Sequence, residues 1–130
     1  MSAALTIKSE AKFTSWVLKS ARERGWLAAH LSNHKIVRRP DGPVAVADRN
    51  SAGFPDVVLV HETYGTHFAE LKMPTGRLRP EQIEWLRRLR ASGQNVYVFW
   101  PKDVDAIVGL LETGSTPQLS LELLARKATS

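Results

Sequence analysis

The chain has no cysteine. That excludes disulfides and any thiolate metal site, and it suits a reducing cytoplasm. No stretch approaches the ~20 apolar residues of a transmembrane helix, so no membrane partner is expected. The first residues, MSAALTIKSEAKF, hold no long apolar run, so no signal peptide is expected there. No internal repeat is visible. Acidic residues are the minority: 13 Asp and Glu stand against 18 Lys and Arg, giving a net charge of +5. A basic balance favours a polyanionic partner. With 130 residues, 43% of them hydrophobic, the chain can bury the core of one domain.

The informative stretch is Gly53 to Lys72, GFPDVVLVHETYGTHFAELK. Two apolar runs, Val57-Val58-Leu59-Val60 and Phe68-Ala69-Glu70-Leu71, flank a turn signal at Tyr64-Gly65. This pattern predicts a β-hairpin. Asp56, Glu70 and Lys72 are set into that apolar frame, and a carboxylate between Ala69 and Leu71 is costly without a partner. Strand alternation puts Glu70 and Lys72 on one face, roughly 6.5–7 Å apart. Asp56 joins them only if even positions pair with even ones. That requires a loop with an odd number of residues, or a bulge, between Val60 and Phe68. Two converging carboxylates repel unless a cation sits between them. Mg²⁺ suits such a pair because it accepts one or two carboxylates and keeps waters for a phosphate. The same residues also suit a surface hairpin with its charges in solvent.

Pro55-Asp56 followed by Glu70-Leu71-Lys72 resembles the PD-(D/E)xK nuclease signature. The surroundings narrow this. Gly53-Phe54-Pro55-Asp56-Val57-Val58-Leu59, then Glu70-Leu71-Lys72, then Leu78-Arg79-Pro80-Glu81-Gln82-Ile83-Glu84-Trp85-Leu86 is an order similar to the VRR-NUC branch, including its small stand-alone versions in phages and bacteria. A first helix bearing Glu10 and ending at Gly25-Trp26 fits the same branch. The resemblance spans roughly Ser9 to Leu111. It leaves Lys35 to Asn50 as an insertion and the residues after Glu112 as a tail. The division expected is a nuclease domain at 1–112 and a tail at 113–130, with a short helix allowed by the spacing of Leu119 to Lys127.

The resemblance implies an α/β fold of α+β type, a restriction-endonuclease-like αβββαβ core with a mixed sheet and flanking helices. It implies Mg²⁺-dependent hydrolysis of a DNA phosphodiester, with Mn²⁺ able to substitute. Branched DNA is the expected substrate, a Holliday junction or flap. Asp56 and Glu70 would hold the metal with the Leu71 carbonyl. Glu10 would complete the shell and Gln82 would assist. Lys72 would orient the attacking water or stabilise developing charge. One site in so small a chain implies a homodimer if two strands are cut. The expected compartment is the cytoplasm of a bacterial or phage-infected cell. Two rivals stay open: a sequence-dependent duplex endonuclease, and a catalytically silent nucleic-acid-binding or adaptor module.

The remaining chain reads as follows. Ser9 caps a helix whose buried face holds Phe13, Trp16, Val17 and Ala21. Glu10, three residues before Phe13, falls on that inward stripe; a solvated first-turn acid is the alternative. Trp26 to Leu31 is a strand. His30 and His34 do not make a zinc site, because no third ligand is evident. His61 and His67 flank the turn as surface residues. Lys35 to Ala52 is a loop with Arg38, Arg39 and Arg49, containing an edge strand at Val44-Ala45-Val46. Pro80 opens a helix with a stripe of Ile83, Leu86 and Leu89, toward which Gln82 also leans. Arg79, Arg87, Arg88 and Arg90 surround it, as a solvated face or as a grip on DNA. Arg49, Arg79 and Arg87 are the candidate phosphate contacts. Asn95 to Trp100 is a buried strand, expected to run parallel to the one before the helix. A last helix carries Ile107, Leu110 and Leu111.

Overall fold

The computed structural model describes residues 7–31, 34–47 and 51–115. The proposed helix at 119–127 lies outside them, as does Arg49. Ser9 has extended backbone and its hydroxyl accepts the Lys12 N–H at 3.2 Å, so α1 (Glu10–Glu23) starts capped. Its buried stripe is Phe13, Val17, Ser20 and Ala21. Then follow β1 (Leu27–His30), β2 (His34–Arg39), β3 (Gly42–Ala47), β4 (Val57–His61), β5 (Gly65–Leu71), α2 (Pro80–Ala91), β6 (Asn95–Phe99) and α3 (Val104–Thr113).

The main sheet has the order β1-β4-β5-β6. β1 and β5 flank β4 antiparallel, and β5 pairs parallel with β6. The crossover is α2, as expected for a parallel pair. With β2 and β3 set aside, the order is αβββαβ followed by α3. This is a restriction-endonuclease-like core with a mixed sheet. Among the described residues no helix is long and apolar enough to cross a membrane.

The segment from Lys35 to Ala52, read from sequence as a loop, departs from that reading. Residues 34–47 form a hairpin of their own, in which β2 pairs antiparallel with β3 and Arg39 faces Gly42 across Pro40-Asp41. The run Pro40-Asp41-Gly42-Pro43 marks a two-residue turn between strands rather than the middle of a loop. The strand at Val44 therefore belongs to a separate two-stranded ribbon and not to the main sheet.

The sheet separates two cores by strand parity. Odd positions Val57, Leu59, Ala69, Leu71, Tyr97 and Phe99 pack with Phe13, Val17 and Ala21 of α1 and with Ile107 and Leu110 of α3. Even positions Phe68, Val96 and Val98 pack with Ile83, Leu86 and Leu89 of α2. His67 is odd and is only 1% exposed, so its assignment to the surface is corrected. Its Nε2–H donates to the Tyr64 carbonyl at 2.6 Å, which leaves Nδ1 to accept from the Tyr97 hydroxyl at 3.1 Å. Burial pushes its pKa below 6.5 and keeps the ring neutral. His61 is half-buried and its Nδ1 accepts the Thr63 N–H at 3.0 Å. His30 ends β1 and is exposed, so it shares no helical face with His34.

Candidate active site

The β4–β5 register decides whether the acids meet. Val57 faces Ala69 and Val58 faces Phe68. Continued by one residue, this register sets Asp56 opposite Glu70. The loop between the strands is Glu62, Thr63 and Tyr64, an odd number, and Gly65 closes it at φ +81°. The parity needed for convergence is therefore present. Glu70 and Lys72 lie on the even face, beneath α2.

Among the described residues, one buried side-chain polar atom lacks a partner, and it lies here. Asp56 Oδ2 accepts the Leu71 N–H at 3.0 Å. Glu70 Oε2 accepts from Gln82 Nε2 at 2.8 Å and lies 3.7 Å from Lys72 Nζ. Gln82 Oε1 in turn accepts the Arg79 N–H at 2.8 Å, which fixes the orientation of the amide. The sequence turned Gln82 inward and gave it an assisting role but named no partner for it. Its partner is Glu70. Glu70 Oε1 is buried and accepts no hydrogen bond; when protonated, the Glu70 carboxyl meets the Asp56 carboxylate. The Glu70 side chain is 3% exposed and that of Lys72 is 16% exposed.

Burial, then the charge of Asp56, then hydrogen bonding with Asp56 push the Glu70 pKa up from 4.5 to about 8. Lys72 and Arg79 pull it down and do not prevail. Without a cation, Glu70 therefore holds its proton at neutral pH. This fixes a stability prediction for protein in chelator. Glu70 binds its proton more tightly when folded, so its contribution is complete below about pH 4.5 and is lost as pH rises through about 8. The expected loss across that window is of the order of a few kcal/mol. His67 works in the opposite sense, since its lowered pKa costs stability as pH falls below 6.5. The readout is thus the difference between wild type and Glu70→Gln in denaturant unfolding from pH 5 to 9. Parallel pH profiles for the two proteins would remove the protonated Glu70.

The segment before Asp56 is pinned to α2. Phe54 packs edge-on against Trp85 at 4.9 Å and Phe68 at 5.9 Å, and Trp85 Nε1–H donates to the Ala52 carbonyl at 3.0 Å. Gly53 has φ +89°, and a Cβ there would stand 2.6 Å from the Glu81 carbonyl group and 2.8 Å from the Gln82 nitrogen. Only glycine permits this approach, which brings the first turn of α2, and with it Gln82, over Glu70. Pro55 has its own consequence. The Lys72 N–H points to β6, where it donates to Phe99, so alternation turns the Leu71 polar groups toward β4. The residue opposite Leu71 is Pro55, which has no N–H to give the Leu71 carbonyl. Neither role was read from the sequence, although Gly and Pro beside an acid on a strand are the signals for both.

Glu10 is corrected on one point. It is exposed rather than inward, and α1 packs on the odd face of the sheet, away from the even face that carries Glu70 and Lys72. Among the described residues, no group of three His, Asp or Glu side chains forms a metal site, so Asp56 and Glu70 stand as a pair. Arg79 and Arg87 are both exposed on α2 or at its start. Arg79 also pairs with Glu81 at 3.1 Å.

Two carboxylates and a lysine on one face of a mixed sheet, roofed by a crossover helix, define a nuclease-type core. A family model described as the VRR-NUC domain matches residues 11–100. The match covers most of the chain, which belongs to the VRR-NUC family of the PD-(D/E)xK nuclease superfamily. It is a nuclease domain, and DNA is its substrate. No curated protein matches the chain.

Proposed function

We propose that the domain is a Mg²⁺-dependent endonuclease that hydrolyses phosphodiester bonds in branched DNA. The observation carrying this reading is the buried Glu70 Oε1, which accepts no hydrogen bond and stands beside a second carboxylate, Asp56. A hard cation suits that acceptor, and oxygen ligands take Mg²⁺ or Mn²⁺. Asp56 and Glu70 would hold the ion, with the Leu71 carbonyl, to which Pro55 has no N–H to give; Glu10 is left out of the set. When bound, the ion supplies Lewis-acid polarisation of the phosphodiester. The chain's own residues do the rest. The Leu71 N–H fixes the Asp56 carboxylate, and the Gln82 amide fixes Glu70, so both acids are held in place before substrate arrives. Lys72 presents an ammonium beside Glu70, where it orients the attacking water or meets developing negative charge. Arg79 and Arg87 supply exposed charge for phosphates, and Arg49 is carried forward from the sequence. Cutting two strands from one site per chain calls for a homodimer.

The β2–β3 ribbon favours a second reading. A two-stranded ribbon with exposed Arg38 and Arg39 has the dimensions to enter a major groove and read sequence. Labelled duplex, flap and four-way DNA, each incubated with Mg²⁺ and with chelator, separate the two. The expected result is cleavage of branched DNA in Mg²⁺ alone. Cuts at discrete sites in plain duplex would favour the ribbon reading. Equal cutting in chelator would remove the metal from the reading, and no cutting on any substrate with Mg²⁺ or Mn²⁺ would leave the binding-only module.

A further inference from the structure

We propose that a cavity beside Trp100 is a stacking pocket for one unpaired nucleobase of the DNA, next to the phosphate being cut. This rests on the nuclease reading and narrows its substrate. β5 and β6 pair Leu71 with Phe99, and the Lys72 N–H donates to the Phe99 carbonyl at 3.0 Å. The next pair in that parallel register is Lys72 with Trp100. Trp100 keeps extended backbone, with φ -115° and ψ 154°, so alternation continues through it. It packs in part against the even-face core that holds Val98 and Phe68. The indole therefore stands beside Lys72 on the same face, about one strand spacing of 4.8 Å away.

Next to it is a cavity of about 360 Å³ lined by Pro74, Trp100, Pro101 and Lys102. Its volume falls within the range of small-molecule sites, roughly 300–1,000 Å³. The lining chemistry selects the occupant. Pro74 and Pro101 have rigid rings and no N–H, so they offer apolar walls and no donors to read a base edge. Trp100 offers a flat π face, which any base can stack on. Lys102 is exposed and supplies the charge for the phosphate that a base carries with it. A base inside a duplex cannot reach such a pocket without being unstacked. An unpaired base reaches it at least cost. The substrate class that follows is DNA with an unpaired nucleotide beside the scissile phosphate, accepted without regard to which base it is.

The test is abasic scanning on a duplex bearing a short single-stranded arm, with binding followed by anisotropy in chelator. Wild-type protein should show one arm position at which removal of the base weakens binding about 5- to 100-fold, the range for loss of one base–aromatic stack. Trp100→Leu keeps an apolar side chain against the core but loses the flat face. It should weaken binding to the intact arm by a similar factor, yet lose nothing further on the arm abasic at that position. Trp100→Phe should retain most of the affinity. Lys102→Gln, at an exposed site, should lower the salt dependence of arm binding by about one counterion, and it stands as the test if Trp100 variants do not fold. No sensitive arm position in wild type, or equal loss by Trp100→Leu on base-bearing and abasic arms, would overturn the pocket. Because binding is read without metal, a protein that shows this pattern but cuts nothing in Mg²⁺ would sink the nuclease reading and leave the pocket standing.

Discussion

Glu70→Gln and Asp56→Asn should each lower cleavage in Mg²⁺ by at least about 10³-fold, the upper end of what one preorganised electrostatic contact is worth. Glu70→Gln is the cleaner change. The new amide keeps an oxygen for the Gln82 Nε2–H and leaves the Glu70 site without a charge at any pH. The fold should therefore persist, and DNA binding should persist with it. The affinity comparison has a pH signature. In chelator below about pH 8, wild-type Glu70 is protonated, so the variant and wild type should bind DNA alike. Above that pH the wild-type carboxylate is charged and repels phosphate, so the variant should bind more tightly. A surface hairpin with solvated acids predicts no change in turnover and no pH-dependent difference in affinity. Cleavage by folded Glu70→Gln at the wild-type rate would end the metal-site assignment.

The site's legibility in the sequence follows strand parity. The period of two makes a definite demand on the Asp56–Glu70 loop, an odd number of residues, and the chain meets it with Glu62, Thr63 and Tyr64. Parity also carries Lys72 onto the acid face, and α2 gives the crossover that makes β5 and β6 parallel. Parity is silent where a polar residue replaces an apolar one in the core. His67 reads as a turn-flanking surface residue because nothing local announces that Tyr97 and Tyr64 will satisfy both its nitrogens. The same limit hid the partner of Gln82: helical spacing turned it inward, but only the approach at Gly53 brings it within 2.8 Å of Glu70. Glu10 shows the converse. Its position relative to Phe13 and Val17 suggested an inward stripe, whereas first-turn acids are also favoured in solvent at a helix N-terminus. Residues 34–47 misled through composition, since Pro-Asp-Gly-Pro punctuates a loop and a hairpin turn in the same letters.

Lys72→Ala should slow single-turnover cleavage by about 10²–10⁴-fold, the usual range for a positioned proton-handling group. Ground-state DNA affinity should change little, because one phosphate contact among many is lost. Position argues for the chemical role. Lys72 Nζ lies 3.7 Å from Glu70 Oε2, its side chain is only 16% exposed, and its own N–H is tied to Phe99. A solvated lysine would show neither the approach to Glu70 nor the burial of its side chain. Its charge also pulls the Glu70 pKa down, so an alternative account is that Lys72 merely eases the loss of the Glu70 proton as the metal binds. Lys72→Arg separates the two. An arginine preserves the positive charge near Glu70 and would restore turnover if ionisation were the whole contribution. If Lys72 orients water or meets developing charge as a compact ammonium, the planar guanidinium, too weak an acid to exchange its proton, should rescue poorly. High Mg²⁺ gives a second discrimination: it should restore Lys72→Ala if only metal affinity suffered, and leave the rate low if the chemical step did. Wild-type turnover in Lys72→Ala would refute any role for the side chain, and full rescue by Arg or by Mg²⁺ would reassign it to tuning Glu70.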